Sequence, residues 1–262
     1  MLQFSANLSL LFTELPLIER FRAAKEQGFN AVEIQFPYEL SAEAIRTELE
    51  IQQLKLVLFN VDADDLLQGG EGLAAVPEKQ AQFNQALNKT LQYAKILQPE
   101  AINILAGCCF DTARLIDYQQ TFTTNLRAAL QVFSPMGIKT VFEAINIHDM
   151  PHFIISSSQQ MLSTLAEINH PDLYMQYDIY HAVKMGENPV HFIPEQAHKI
   201  GHIQFADCPN RHEPGTGAID FSDLFSTIQH ANYSGWVGAE YKPLYSTESS
   251  LDWLIKHTPT SK

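Results

Sequence analysis

The chain has 262 residues, of which 45% are hydrophobic and 18% are charged, a composition typical of a globular protein with a large core. Its 17 Lys and Arg residues are outnumbered by 30 Asp and Glu residues, which gives a formal net charge of −13. Nucleic acids and anionic membranes select basic surfaces, so this charge balance argues against both as partners. It does not exclude a small anionic substrate, because a few basic residues can converge inside a cleft.

The N-terminal segment 1–12 lacks the positive charge and the cleavage pattern of a signal peptide. No apolar run approaches the roughly 18 residues that a membrane-spanning helix needs. The three cysteines, Cys108, Cys109 and Cys208, form neither a C-x-x-C pair nor a disulfide framework. We therefore expect a cytoplasmic protein with reduced thiols.

Short apolar runs alternate along the chain with longer amphipathic stretches. The runs have the length and composition of buried parallel strands and lie at residues 2–7, 30–34, 55–59, 101–105, 139–142, 173–177, 200–204 and 236–239. The stretches have helical spacing and lie at residues 16–27, 42–53, 78–97, 117–133, 158–168, 189–198, 221–231 and 247–256. Pro16 suits a first helical position, and Ser41 is predicted to be an N-cap.

Eight strands, each followed by a helix, predict a (β/α)₈ TIM barrel, a fold that typically takes about 250 residues. No linker or break in composition interrupts the chain, so we expect residues 1–262 to form a single domain. A doubly wound sheet would need a glycine-rich phosphate-binding turn after the first strand, but that turn reads Asn7-Leu-Ser-Leu-Leu-Phe12. The sequence therefore favours the barrel.

Active sites of TIM barrels lie at the C-terminal ends of the strands. The fifth to the eighth predicted strands all end there in an oxygen-bearing side chain, in order Glu143, Asp178, Gln204 and Glu240. Buried carboxylates are costly unless a cation compensates them, and a set of four oxygen donors suits Mg²⁺ or Mn²⁺ better than zinc. A helix cap or a lysine partner would explain any one of these residues, but four on successive strands favour a metal site.

Three basic residues are expected near the same rim. His181 lies just beyond the carboxylate of the sixth strand, where it would face a substrate. Arg211 belongs to the loop 208–217 after the seventh strand, and a guanidinium matches the geometry of a substrate carboxylate. Lys242, just past the eighth strand, is a second candidate cation. The alternative is that the loop is a polar excursion with no binding role.

Several segments between about residue 3 and about residue 254 form a recognisable set of motifs: Ala6-Asn-Leu-Ser9, Phe12-Thr-Glu14, Phe36-Pro-Tyr38, Leu58-Phe-Asn60, Arg211-His-Glu-Pro214 and Gly235-Trp-Val-Gly-Ala-Glu-Tyr-Lys-Pro243. These motifs resemble the hydroxypyruvate isomerase family of the xylose isomerase-like TIM barrels, which also includes 2-oxo-tetronate isomerases. One departure is the segment 143–152, which carries an unusual His148-Asp149 pair.

The resemblance implies an isomerase that converts hydroxypyruvate to tartronate semialdehyde, or 2-oxo-tetronate to 3-oxo-tetronate, through an enediolate. It implies that Glu143 and Glu240 are the acid/base pair and that His181 and Arg211 contact the substrate. The implied ligands of the divalent metal are Glu143, Asp178, Gln204 and Glu240, with Gln204 standing where related ketose epimerases have histidine.

Two other functions stay open at this stage. A xylose isomerase-like endonuclease shares the barrel, but it uses a histidine-rich zinc cluster and a basic DNA-binding face. A non-catalytic sugar-acid-binding barrel would keep Arg211 and Lys242 but would not need Glu143 and Glu240 together. A metal-dependent isomerase with a small hydroxy-keto acid substrate is therefore the leading hypothesis.

Overall fold

The computed structural model describes residues 2–257 and contains eight parallel strands in one closed barrel, in which each strand pairs with the next along the chain and β8 pairs with β1. This arrangement confirms the predicted (β/α)₈ TIM barrel. The strands are β1 Gln3–Asn7, β2 Ala31–Ile34, β3 Lys55–Asn60, β4 Ala101–Asn103, β5 Lys139–Glu143, β6 Leu173–Asp178, β7 Ile200–Phe205 and β8 Trp236–Ala239.

Helices follow the strands and cover the outside of the barrel. They are α1 Leu17–Glu26, α2 Ala42–Gln52, α3 Gln80–Leu97, α4 Leu115–Phe133, α5 Ser158–Ile168, α6 Ile179–Lys184, α7 Pro189–Gln196, α8 Phe221–His230 and α9 Asp252–His257. No helix within residues 2–257 combines the length and the apolar character that a membrane crossing requires.

The element boundaries agree with the sequence patterns to within a few residues, with three differences. The short helix α6 was not predicted, because its six residues are too few to show a helical period. Pro16 is the N-cap of α1 rather than its first helical residue, whereas Ser41 caps α2 as predicted, its hydroxyl accepting from the backbone N–H of Ala44. The predicted helix 247–256 is divided into a 3₁₀ turn, Glu248–Ser250, and α9.

The main core lies between the barrel and its helices. Phe205 points outward from the end of β7 and packs against Trp253, Phe225 and Phe4 at ring-centroid distances of 5.0, 5.3 and 6.2 Å. Since successive side chains on a strand face opposite sides, an outward Phe205 directs the neighbouring Gln204 into the barrel.

The inside of the barrel changes character along its axis. At the N-terminal end it is closed by a small apolar cluster, which includes Ala31, Ala101, Val141 and Trp236. Two residues further along the same strands, on the same face, the side chains become polar or absent: Glu33, Asn103, Glu143 and Gly238. TIM-barrel interiors are usually filled by branched apolar residues, so polar side chains at the C-terminal end indicate a site.

Candidate active site

Three buried groups converge at the C-terminal rim. Glu143 is the last residue of β5, Asp178 is the last residue of β6, and His181 lies on the first turn of α6. One ligand atom from each lies within 4.8 Å of the others. Asp178 also begins α6, since its side chain accepts hydrogen bonds from the backbone N–H groups of Tyr180 and His181. The same carboxylate thus fixes the helix that carries His181.

Glu143 lies in surroundings that disfavour its charged form. Burial and the nearby charge of Asp178 raise the pKa of Glu143, although a hydrogen bond from the Asn103 amide, at 2.8 Å, works against this rise. Glu143 therefore tends to hold a proton near neutral pH unless additional positive charge reaches the site.

His181 is neutral, and its proton can be assigned from its hydrogen bonds. Burial lowers the pKa of His181 to about 4, because desolvation disfavours the charged ring. Its Nδ1 lies 3.3 Å from the backbone nitrogen of Asn146, a group that can only donate, so Nδ1 is an acceptor. The ring proton therefore lies on Nε2, which is 3.5 Å from Oδ2 of Asp178. This tautomer makes His181 a donor rather than a metal ligand through Nε2.

Glu240, directly after β8, joins the cluster through Arg211. The Arg211 guanidinium donates to Glu240 Oε2 at 2.7 Å and lies 3.4 Å from Asp178 Oδ2. The other oxygen of Glu240, Oε1, accepts from Asn7 and from Gln35, each at 2.9 Å. Burial raises the pKa of Glu240, Arg211 lowers it, and the charges of Asp178 and Glu143 raise it further, so the net shift is upward.

The loop after β7 presents Arg211 to the site. Asp207 organises this loop by accepting hydrogen bonds from four backbone N–H groups, those of Cys208, Gly215, Gly217 and Ile219. Arg211 has φ of 61°, in the left-handed region that residues with a side chain rarely adopt. Its Nε is buried and has no hydrogen-bond partner within the described part of the chain. A strained backbone and a free donor are typical of a group held ready for a ligand.

A second set of contacts braces Arg211 and His181 from the side. The Arg211 guanidinium lies over the Tyr180 ring at 5.2 Å, and the Tyr180 hydroxyl donates to Asp149 at 2.6 Å. Asp149 also accepts from Lys184 at 2.7 Å and from the Asn146 amide at 3.0 Å. The unusual acidic residue noted in the sequence therefore ties the loop after β5 to α6.

The two remaining candidates are placed differently. Gln204 lies inside the barrel, where its amide nitrogen donates to Glu33 at 2.7 Å and its oxygen accepts from Gln176 at 2.6 Å. The Lys242 side chain is exposed, and only its backbone joins the site region, through a 2.8 Å hydrogen bond to the Arg211 carbonyl. The structure does not bring the Lys242 ammonium into the buried cluster.

The sequence patterns did not single out Glu33, which lies in the middle of β2 and is completely buried. Burial alone would raise the pKa of Glu33, but the charge of His202 and hydrogen bonds from His202, Gln204 and Asn7 lower it overall. The available signal was a single charged residue within the apolar run Ala-Val-Glu-Ile, which has no partner nearby in sequence. Its partners come from β1 and β7, and only the closed barrel brings them together.

The residues present suit a divalent cation. Three buried carboxyl groups, those of Glu143, Asp178 and Glu240, lie near the partly buried guanidinium of Arg211, so carboxyl groups outnumber cationic groups in this cluster. The upward shifts of the Glu143 and Glu240 pKa values have the same origin. Carboxylate and amide oxygens are the donors that Mg²⁺ and Mn²⁺ prefer.

Comparison with known proteins defines the class. A family model described as xylose isomerase-like TIM barrel matches residues 21–257. A crystal structure from Brucella melitensis, described as an AP endonuclease of family 2, superimposes with a TM-score of 0.94 at 34% identity and covers 99% of this chain and 100% of that chain. The chain belongs to the xylose isomerase-like TIM barrel family.

Curated relatives identify a smaller group of enzymes within this family. A 2-oxo-tetronate isomerase of Pectobacterium atrosepticum is 37% identical over 251 residues, which are 96% of each chain. The hydroxypyruvate isomerase of Escherichia coli is 37% identical over 254 residues, which are 97% of this chain and 98% of the relative. Within its class the chain groups with these enzymes, and it is an isomerase. This confirms the resemblance found in the sequence motifs and sets aside the non-catalytic binding barrel.

Proposed function

We propose that the protein is a metal-dependent isomerase of a small hydroxy-keto acid, either hydroxypyruvate or 2-oxo-tetronate. The observation that carries the proposal is the convergence of Glu143, Asp178 and Glu240 around Arg211 at the catalytic rim of a chain whose relatives are named as isomerases of these acids. Carboxylates for proton transfer and a cation for an acidic substrate are the groups that such a reaction needs.

Glu143 and Glu240 are the proposed acid/base pair. One glutamate takes the proton from the hydroxyl-bearing carbon, and the electron pair left behind forms an enediolate with the neighbouring carbonyl. The other glutamate returns a proton to the former carbonyl carbon, while a proton passes from the hydroxyl oxygen to the former carbonyl oxygen. The carbonyl group has then moved by one carbon with no net gain or loss of electrons. This exchange needs one glutamate ionised and the other protonated when the substrate binds.

The proposed ligands of a divalent cation, Mg²⁺ or Mn²⁺, are Glu143, Asp178, Gln204 and Glu240. When bound there, such a cation supplies positive charge beside the two substrate oxygens that become negative in the enediolate. Its charge would also offset the excess of buried carboxylates.

Arg211 and His181 are the proposed substrate contacts. The free Nε of Arg211 supports a role in holding the substrate carboxylate, since guanidinium groups bind carboxylates through paired N–H donors. The Nε2–H group of His181 is suited to donate to a substrate oxygen. Lys242 stays a weaker candidate, because its side chain is exposed.

The test is turnover of hydroxypyruvate and of 2-oxo-tetronate by protein stripped of metal with a chelator and then supplied with Mg²⁺ or Mn²⁺. We expect conversion of at least one acid, lost on stripping and restored by either ion. The ratio of the two kcat/KM values identifies the preferred substrate. Full activity in stripped protein would contradict the metal role, and turnover of neither acid would contradict the substrate class.

A further inference from the structure

The carboxylate of Glu33 lies inside the barrel and takes no part in the proposed chemistry. It has no exposed surface, and it accepts hydrogen bonds from Ser5, Asn7 and Gln204 at 3.0, 3.0 and 2.7 Å. Nε2 of His202 lies 2.7 Å away from it. A buried carboxylate is costly unless its lone pairs are satisfied, and here partners from two strands satisfy both oxygens.

The barrel has room for the Glu33 carboxylate because position 238 on β8 is a glycine. A Cβ atom added to Gly238 on β8 would lie 2.3 Å from Oε2 of Glu33 and 2.8 Å from its carboxyl carbon. Any other residue at position 238 would therefore push the carboxylate away from its hydrogen-bond partners. The position of the Glu33 carboxylate thus depends on Gly238 of β8 as well as on its own hydrogen bonds.

The hydrogen bond to Glu33 fixes the orientation of the Gln204 side-chain amide, and therefore which of its two polar atoms can bind a cation. A carboxylate only accepts, so the amide group facing Glu33 must be the nitrogen. Nε2 of Gln204 is held there at 2.7 Å. The amide oxygen accepts one hydrogen bond, from Gln176, and keeps a second lone pair. A hard cation binds the oxygen of an amide and not its nitrogen, so this choice of orientation matters for a ligand.

We propose that Glu33 is a positioning residue that holds Gln204 with its oxygen available to the cation. The proposal rests on the proposed function, in which Gln204 is a ligand. It gives a reason why glutamine can serve on β7: an amide binds a cation through its oxygen only when its orientation is fixed, just as a histidine ligand needs its tautomer fixed. Partners that orient a metal ligand typically contribute 10- to 100-fold in metal affinity.

The experiment measures the dissociation constant of Mn²⁺ by electron paramagnetic resonance in wild type and in Glu33→Gln. The substitution keeps the size of the side chain but presents an amide, which cannot accept from all the donors around it. We expect Mn²⁺ to bind roughly 10- to 100-fold more weakly, with native circular dichroism retained. In a Gln204→Ala background the same substitution should weaken binding by less than about 3-fold, because the residue through which Glu33 acts is gone. Should Glu33→Gln not fold, Glu33→Asp withdraws the carboxylate by one methylene, and we expect the same two results.

Asn125→Ala is the matched control. Its buried amide donates to the Ala74 carbonyl, so its removal destabilises the protein at a place outside the barrel interior. Mn²⁺ affinity should stay at the wild-type value in this variant.

Unchanged Mn²⁺ affinity in Glu33→Gln would overturn the positioning role and leave the isomerase proposal intact. An equal loss in the wild-type and Gln204→Ala backgrounds would overturn the route through Gln204. Wild-type protein that binds no Mn²⁺ would overturn both the cation role and this inference.

Discussion

At the scale of single residues, the proposed chemistry depends on carboxylates that are buried, where a negative charge is costly. Glu143 and Glu240 close two buried strand ends, and both have raised pKa values because they are desolvated and lie near other carboxylates. The sequence predicted these two positions, since each is a charged residue directly after an apolar run. It did not predict Glu33 or the His181 tautomer, because their partners are distant in sequence and meet only in the closed barrel.

Glu143→Gln and Glu240→Gln should each lower kcat by roughly 10²–10⁴-fold, the usual contribution of a general acid or base. Both residues are also proposed ligands, so Mn²⁺ content is measured on the same samples. A variant that keeps its metal and loses turnover supports proton transfer, whereas wild-type kcat in either variant would rule out that residue as an acid or base. Glu195→Gln, on the exposed side of α7, is the control and should keep wild-type kcat.

Arg211→Ala should separate substrate binding from metal binding. Losing a hydrogen bond to a charged group costs about 1.5–3 kcal/mol, so kcat/KM for the acid substrate should fall roughly 10- to 150-fold. Mn²⁺ affinity should stay equal or increase, because a positive charge beside Glu240 and Asp178 has been removed. Steady-state kinetics and Mn²⁺ titration give the two values. Normal kcat/KM would contradict the substrate role and make Lys242 the leading candidate, and Arg22→Ala, an exposed arginine, serves as control.

At the scale of elements, the composition of the strands explains why the fold could be predicted from the sequence. Each strand is a short apolar run in a parallel sheet covered by helices, a pattern that is readable without tertiary information. The helix α6 was missed, since it is fixed by the side chain of Asp178 rather than by its own periodicity. The link from Asp149 to Tyr180 and Lys184 was also unreadable, because it joins two elements that are about 30 residues apart.

Asp149→Asn should weaken this link in a pH-dependent way. Partial burial alone would raise the pKa of Asp149, but hydrogen bonds from Asn146, Lys184 and Tyr180 lower it below its ordinary value. A carboxyl group with a lowered pKa stabilises the fold above its unfolded pKa, and this contribution is lost as the pH falls through the folded pKa. At pH 7 the urea concentration at the midpoint of unfolding should therefore be higher for wild type than for the variant. The difference between the two midpoints should narrow below about pH 4. A midpoint difference that does not change with pH would contradict a stabilising role for the charge of Asp149.

At the scale of the whole molecule, the fold alone does not decide between an isomerase and an endonuclease. One similar crystal structure is described as an AP endonuclease, whereas curated relatives that also match nearly the full length are named as isomerases. The net charge of −13 favours the isomerase, because DNA binding draws most of its affinity from basic side chains that neutralise phosphates. TIM barrels host many chemistries, and the rim residues therefore carry more weight than the barrel.

We expect no incision of a duplex that contains an abasic site, with Mg²⁺, Mn²⁺ or Zn²⁺ present, at protein concentrations that give full isomerase turnover. A labelled duplex on a denaturing gel provides the measurement. Incision by wild type that disappears in Glu143→Gln would show that the same rim cleaves DNA and would contradict this expectation. Incision that persists in that variant would indicate a contaminating nuclease.

The central claim, proton transfer through an enediolate, is tested most directly by turnover in D₂O. Wild-type enzyme with Mn²⁺ should place deuterium on the carbon that becomes the carbinol centre, because the proton added there comes from a glutamate in exchange with solvent. Mass spectrometry of the product, trapped before it can exchange further, measures the incorporation. Product free of solvent deuterium, formed at the normal rate, would contradict the two-glutamate mechanism, because the substrate hydrogen would then have moved as a hydride or been carried by a single shielded base.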